Sequence, residues 1–427
     1  MNKRLRLWLR EGNQITFALW AIAGAFITYF SMYAFRKPVS AAVFADETIW
    51  GLDYKVIALI AQVCGYAISK FAGIIVISEM PSQVRIRMIL ILIGGAWLAL
   101  LGFAIVPAPY NVAFLFLNGL PLGMIWGVVF SFLEGRRFTE LLGAGLCASF
   151  IISSGTVKSV GRLLIQDGGI SEFWMPFATG LVFLVPLFIG VWMLSLLPEQ
   201  TEADVEQRSH RVPMTAEDRK SFFRTFTFGI IMTVFIYVLL TVFRDIRDNF
   251  TVEIWSALGF GETPHILATA EIPVAIGVLG FISLMSFVRS NRTGFFLNFH
   301  IITGTGLLLI VATALFEAGQ LGPISWMILN GFAMYLAYIA YHTFLFERWI
   351  AVFRNKSNIG YLMYIADAFG YVGSITIMFM KNFGPSGMGW LEILIILAYF
   401  CGAGSILFSI VCYVYFKAKV KRLVSEC

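Results

Sequence analysis

Twelve apolar stretches, each about long enough to cross a bilayer, leave this chain few folds outside a membrane. They run over approximately 15–44, 55–78, 84–106, 112–133, 141–165, 174–197, 222–255, 264–288, 294–316, 323–345, 357–380 and 390–416. A span needs roughly 20 apolar residues, and a helix of that length satisfies its own backbone groups in hydrocarbon. Charge agrees with this reading. Of 427 residues, 13% are Asp, Glu, Lys or Arg, and mean hydropathy is +0.82. A soluble domain carries about twice that charged fraction. The expectation is an all-α integral membrane protein in contact with the lipid bilayer. The net charge of +6 comes from loop lysines and arginines and does not suggest nucleic-acid binding. The basic start, MNKRLRLWLREGNQ, precedes an apolar run too long for a signal-peptide core, so the first span is read as retained.

Most of the 31 lysines and arginines fall in alternate loops, including Arg85 and Arg87, Arg136 and Arg137, Arg289 and Arg292, and the basic tail from Lys417. That bias places both termini in the cytoplasm and requires an even number of spans. A polar linker, 198–221, separates an N-terminal six-helix half, 1–197, from a C-terminal half, 222–427. Both halves start on the same side, so the repeat is parallel. Leu117-Asn118-Gly119 recurs as Leu329-Asn330-Gly331, and Val160-Gly161 as Val372-Gly373, each 212 residues on. Tyr29, Phe35 and Arg36 recur as Tyr237, Phe243 and Arg244, 208 residues on. Gly94-Gly95, Gly119 with Gly123, and Gly277 with Gly280 are read as helix crossings.

Ionisable groups inside spans are costly and mark solute or ion pathways. Arg36, Arg244, Lys70 and Lys158 are the candidate substrate-binding residues. Two guanidinium forks suit a phosphoryl group, because each makes parallel charge-assisted hydrogen bonds. The other reading is that each arginine ends its helix and snorkels. Lys70 could likewise snorkel, and Lys158 could pair with Asp367. Glu271 and Asp367 are candidates for proton coupling or charge balance. Glu271 precedes Pro273, read as a mid-span weak point, and a structural pairing with Lys70 is the alternative. His342 is read as packed or interfacial. Glu134-Gly135-Arg136-Arg137 and Glu347-Arg348 are read as charge networks that latch one state. Cys64, Cys147, Cys401, Cys412 and Cys427 show no disulfide or metal spacing. No nucleophile–base pair or phosphate-binding glycine loop is visible, so no cofactor, no metal and no enzymatic activity are expected.

Twelve spans in two parallel halves resemble the major facilitator superfamily. Within it, five places resemble the organophosphate:phosphate antiporters, the group of glycerol-3-phosphate and hexose-phosphate transporters. They are Tyr33-Ala34-Phe35-Arg36-Lys37; Gly65 to Phe71 followed by Gly73; Glu134-Gly135-Arg136; Arg244 with Asp248; and Phe369-Gly370-Tyr371-Val372-Gly373. The resemblance implies that Arg36 and Arg244 bind the substrate phosphate, that Lys70 assists, and that the halves rock in alternating access. The chain departs from that group in several places. Ser78-Glu79-Met80-Pro81 stands near its loop Asp-Arg, and Phe150 and Ile151 stand where it often has a histidine. Asp367 replaces a glycine and Asn249 a tryptophan.

The expected function is secondary transport of a small anion, an organic phosphate, by phosphate exchange or proton coupling. The expected setting is a cell membrane, the bacterial inner membrane, with the protein acting as a monomer. The alternative is a membrane sensor that binds a phosphorylated metabolite without carrying it.

Overall fold

The structure, a computed structural model, describes residues 2–45, 47–78, 80–133, 136, 139–198, 215–263, 265, 266–285, 287–288, 290–353, 359–383 and 387–425. Most of the 198–221 linker, with Glu134, Gly135 and Arg137 of the expected latch, lies outside the described residues. Among the described residues, eleven helices are long and apolar enough to cross a membrane. A twelfth span forms if Met175–Val182 and Leu184–Ser195, bent by 46°, count as one. The one sheet among these residues is a two-stranded hairpin, Thr48–Ile49 with Leu52–Asp53.

The chain divides into two compact units, Met1–Arg211 with Glu262–Ile272, and Val212–Gly261 with Pro273–Cys427. In the first unit the helices are α1 (Asn2–Glu11), α2 (Gln14–Met32), α3 (Tyr54–Ser78), α4 (Arg85–Ile105), α5 (Val112–Leu122), α6 (Ile125–Phe130), α7 (Thr139–Gln166), α8 (Met175–Val182) and α9 (Leu184–Ser195). Next come α10 (Ala216–Asn249), α11 (Thr251–Ala257), α12 (Ile266–Thr269) and α13 (Glu271–Met285), and then α14 (Asn291–Glu317), α15 (Pro323–Ala340), α16 (Phe346–Phe353), α17 (Ile359–Phe383) and α18 (Trp390–Ser425). Sequence signals account for several starts. Asn13 caps α2 through the Ile15 amide at 3.1 Å, and Thr215 with Asp218 forms a capping box on α10. Pro323 opens α15, where its missing N–H costs nothing.

In the first unit, α2 lies against α7 and α9, and α5 lies against α3 and α4. In the second, α10 lies against α17 and α18, and α14 against α15 and α18. The repeated glycines sit at tight positions but meet different neighbours in the two halves. A methyl at Gly119 would fall on the Gln62 carbonyl, and one at Gly331 would lie 2.8 Å from Arg247 Nη2 and 3.0 Å from Val274. Gln62 and Val274 are themselves 212 residues apart. At Gly94, Gly95 and Gly280 an added methyl meets nothing within 4 Å, so those are not crossings among the described residues.

Two expected helices differ in form. The first span does not continue as a helix through Arg36. It ends at Met32, turns through a 3₁₀ stretch at Tyr33–Phe35, and resumes as a second at Pro38–Ala41. Pro38 has no N–H to return to Ala34 and its ring crowds that carbonyl, so a continuous helix cannot run through it; the residue that leaves the helical region is Arg36, at φ −123° and ψ −53°, while Lys37 stays within it. Glu271 is the first residue of α13 and Pro273 lies in its first turn. α12 and α13 together make one span, Ile266–Met285, interrupted at Ala270, and Pro273 lacks the N–H that would reach back to Thr269, so it is a weak point within the span as expected.

Candidate functional site

In the first unit the site is built around the break after α2. A break inside a span frees carbonyls that water cannot reach, so they need side-chain donors. The Asn118 amide of α5 donates to Phe35 O and to Ala96 O, each at 2.9 Å. The Gln62 amide of α3 donates to Arg36 O at 3.1 Å and to Asn118 Oδ1 at 2.8 Å. The Ser40 hydroxyl donates to Lys37 O at 2.8 Å. All of these donors are buried, and together they fix the backbone at Arg36.

The Arg36 guanidinium carbon lies 3.8 Å from the centroid of the Tyr66 ring. Lys70, one helical turn beyond Tyr66 on α3, has its ammonium 5.4 Å from the same centroid. A ring face attracts a cation through its quadrupole, and two cations here share one ring. The 3₁₀ turns on either side of Arg36 pack against α7, the helix that carries Lys158. Lys37, Lys55, Lys70 and Lys158 are buried along with Arg36 and Arg136. No Asp or Glu within residues 14–195 is buried among the described residues. The buried charge of this stretch is therefore cationic.

In the second unit the candidate residues form a different arrangement. Arg244 on α10 donates to Asp245 Oδ1 from Nε at 3.1 Å and from Nη2 at 2.9 Å. Nη2 also lies 3.3 Å from the Tyr371 hydroxyl on α17. The guanidinium carbon is 4.4 Å from the centroid of Tyr338 on α15. Among the described residues Nη1 donates no hydrogen bond. Behind Tyr338 stands the Tyr237 hydroxyl, 2.7 Å from the Tyr338 hydroxyl and 2.8 Å from His342 Nε2, and it donates to Asp367 Oδ1. Asp367 is thus linked to Arg244 through two phenols.

His342 lies in a single π-helical turn, Tyr341–Leu345, that follows α15. Such turns recur at functional sites because the extra residue re-aims side chains. The histidine therefore belongs to a polar network rather than to simple packing. Glu271 is buried at the start of α13.

The 212-residue register also separates the two arginines. In that register Arg36 stands opposite Asp248, and Arg244 opposite Met32. They differ by four residues, about 6 Å along a helix at 1.5 Å per residue.

Asp245 and Tyr338 were not singled out from sequence, and Lys37, Tyr66 and Tyr371 stood in the motifs without a role of their own. One signal was available: Tyr335, Tyr338 and Tyr341 recur every three residues in one span, setting phenols along one helix side. Asp245 was masked by its place in Arg244-Asp245-Ile246-Arg247-Asp248, which reads as a charged helix end. Tyr237→Phe keeps the ring and removes the hydroxyl on which Asp367, Tyr338 and His342 converge. It is expected to lower stability by about 2–3 kcal/mol, measured by thermal unfolding in detergent. Asp367→Asn combined with it should cost less than the two losses summed.

The family described as "Family of unknown function (DUF5690)" matches residues 38–419. No curated protein matches the sequence. The fold is similar to the crystal structure of a D-xylose-proton symporter, with a TM-score of 0.60 and 13% identity, over 94% of this chain and 97% of that one. It is also similar to the major facilitator superfamily proton:xylose symporter XylE bound to 6-bromo-6-deoxy-D-glucose. That match has a TM-score of 0.63 and 12% identity, over 97% of this chain and 96% of that one. At such identities the likeness is one of fold, and the architecture is the major facilitator fold.

Proposed function

Since the chain belongs to the DUF5690 family and has the major facilitator fold, we propose from its own side chains that it is a secondary transporter of a small organic anion, an organic phosphate. One observation supports this: among the described residues, every Asp, Glu, Lys or Arg buried within residues 14–195 is a cation, and Glu271 is the one buried acid of the same unit. Burying a cation away from water costs several kcal/mol, and nearby acids are the usual compensation. In this reading an anionic solute joins that compensation when it binds. Arg36 places its guanidinium carbon 3.8 Å from the Tyr66 ring centroid, and a planar fork favours a phosphoryl group as partner.

In this reading Arg36 binds the anionic group, and Lys70 and Lys158 raise the local positive potential. Arg244 is the substrate-binding candidate of the C-terminal half, while Asp367 and Glu271 balance charge or carry protons. The two halves, 1–197 and 222–427, rock in alternating access about the linker 198–221, in a cell membrane with both termini cytoplasmic.

The test is a thermal-shift screen of the purified protein with inorganic phosphate, glycerol phosphate, hexose phosphates and dicarboxylates. A ligand at 100 times its Kd stabilises by about 2.7 kcal/mol. Stabilisation by phosphate compounds is expected. Stabilisation by xylose alone would discard the anion. Binding without flux in proteoliposomes would make the protein a sensor.

A further inference from the structure

We propose that α1 lies in the headgroup layer of the leaflet that the first span enters, and that its cationic side chains hold an anionic phospholipid there. No transported solute takes part.

The sequence of α1, NKRLRLWLRE, interleaves charge with apolar bulk. Its ten residues carry Lys3, Arg4, Arg6 and Arg10 against one acid, Glu11. Leu5, Trp8 and Leu9 recur at spacings of three and four, which sets them along one side of a helix. Ten residues are too few to cross a bilayer, yet the helix ends at the edge of one. Gly12 and Asn13 alone separate it from α2, which Asn13 caps. Two extended residues reach roughly 7 Å, so the end of α1 stays at the level where the first span begins. The turn there is tight: a methyl at Gly12 would fall 2.5 Å from Trp8 O.

Two contacts lay the helix against its unit. Leu9 is 3% exposed. Arg6 Nη2 donates to Ser195 O at 2.7 Å and so satisfies a carbonyl that the end of α9 leaves open. α9 in turn lies against α2. Arg6 is thereby engaged within the protein. Leu7 is 51% and Trp8 50% exposed. Arg4, three and four residues before them, is exposed on the same side of the helix.

The surroundings of that open side identify its occupant. Ile15 and Leu19 of α2 and Trp192 of α9 are also exposed, so the apolar surface that these spans turn to hydrocarbon runs up to the start of α2 and the end of α9. Trp20 and Trp192 meet edge to face there at 5.8 Å, and Trp20 Nε1 donates to Met193 O at 3.0 Å. Tryptophan and arginine gather at the depth of lipid headgroups, where a ring lies partly in hydrocarbon and a cation meets phosphate. Leu7 and Trp8 therefore suit the boundary of the acyl chains, and the excess of cations on α1 suits an anionic headgroup over a zwitterionic one. A soluble acidic partner would match the charge and leave Leu7 and Trp8 without hydrocarbon.

The test reconstitutes the full-length protein in vesicles of phosphatidylcholine and phosphatidylglycerol, with bromine on the acyl chains of one lipid at a time. Trp8 emission is read as wild type minus Trp8→Phe. At equal mole fraction, brominated phosphatidylglycerol should quench it more than brominated phosphatidylcholine, and titration of the mole fraction gives the preference at that site. Arg4→Gln should lower the preference about fivefold, the share of one cation beside an anionic surface. Arg4→Lys should keep it. Lys3→Gln, Arg4→Gln and Arg10→Gln together should abolish it.

Quenching of Trp8 by neither lipid would take α1 out of the bilayer and overturn the proposal. Equal quenching by both lipids in the wild type would overturn it too, since apolar contact alone would then hold the helix. A preference that survives the triple substitution would place the anionic lipid elsewhere. The wild-type protein decides the first two outcomes by itself, so a variant that fails to fold does not shelter the proposal. Transport of any solute can stand or fall without changing these readings.

Discussion

Replacing Asn118 with leucine is expected to lower the unfolding free energy by about 3–5 kcal/mol, the largest stability loss foreseen for one surface-neutral change in this chain. Asn118 is fully buried, and its amide uses both donors, on Phe35 O and Ala96 O, and its acceptor, on Gln62. Leucine matches the volume but strands two carbonyls and one amide N–H, each costing roughly 1–3 kcal/mol when buried. Gln62→Leu in the same chain should cost less than its separate loss, because the Gln62–Asn118 bond is already gone, though it still strands Arg36 O. The repeat supplies an internal control. Asn330 stands at the equivalent position, also buried, and neither of its side-chain polar atoms makes a hydrogen bond among the described residues. Asn330→Leu is therefore expected to change stability by less than about 1 kcal/mol, since no bond is lost. Equal losses at the two positions in thermal or urea unfolding would contradict the assignment of Asn118 as the tie that holds the break.

Arg36→Lys is expected to weaken binding of a phosphate monoester about 100-fold while leaving the folded protein intact. The substitution keeps the charge and loses the second parallel hydrogen bond, worth about 1.5–3 kcal/mol when charge-assisted. It also loses the guanidinium's contact with the Tyr66 ring. Lys70→Gln removes a charge farther from the ring centroid and should cost about tenfold, a smaller electrostatic share. Titration calorimetry on the purified variants measures both. Unchanged affinity in Arg36→Lys would mean that the guanidinium does not touch the anion.

The spans were legible because twenty apolar residues have few alternatives, and span positions follow the apolar runs closely. The break at Arg36 was half legible. The arginine and lysine stood out as unusual inside an apolar run, but Pro38 also forbids a continuous helix, and its local effect was outweighed by the length of the apolar stretch. Pro273 was legible as a weak point, and the helix of the span Ile266–Met285 is interrupted at Ala270, just before it. Gly94 and Gly95 show the limit of composition. Small residues permit close crossings but do not compel them, and nothing lies within 4 Å of a methyl there. The polar network in the second unit was largely illegible. Its phenols come from three helices, and aromatic residues are common in every span, so no local pattern marks which tyrosines converge. Charge on Arg244 was visible; the partner that neutralises it stood next to it and looked like the end of the helix.

The contact between α3 and α5 sets a limit on what can move. A methyl at Gly65 would fall on the Phe116 carbonyl, and one at Gly119 on the Gln62 carbonyl, so the two backbones touch with no layer of side chains between them. Sliding needs such a layer to repack, and a joint without one behaves as a weld. Tyr66 and Lys70 ride on one side of that weld. Asn118, on the other side, grips the chain just before Arg36. The spacing between the arginine and the lysine is therefore a built-in gauge, set once on folding and the same from whichever side of the membrane a solute arrives.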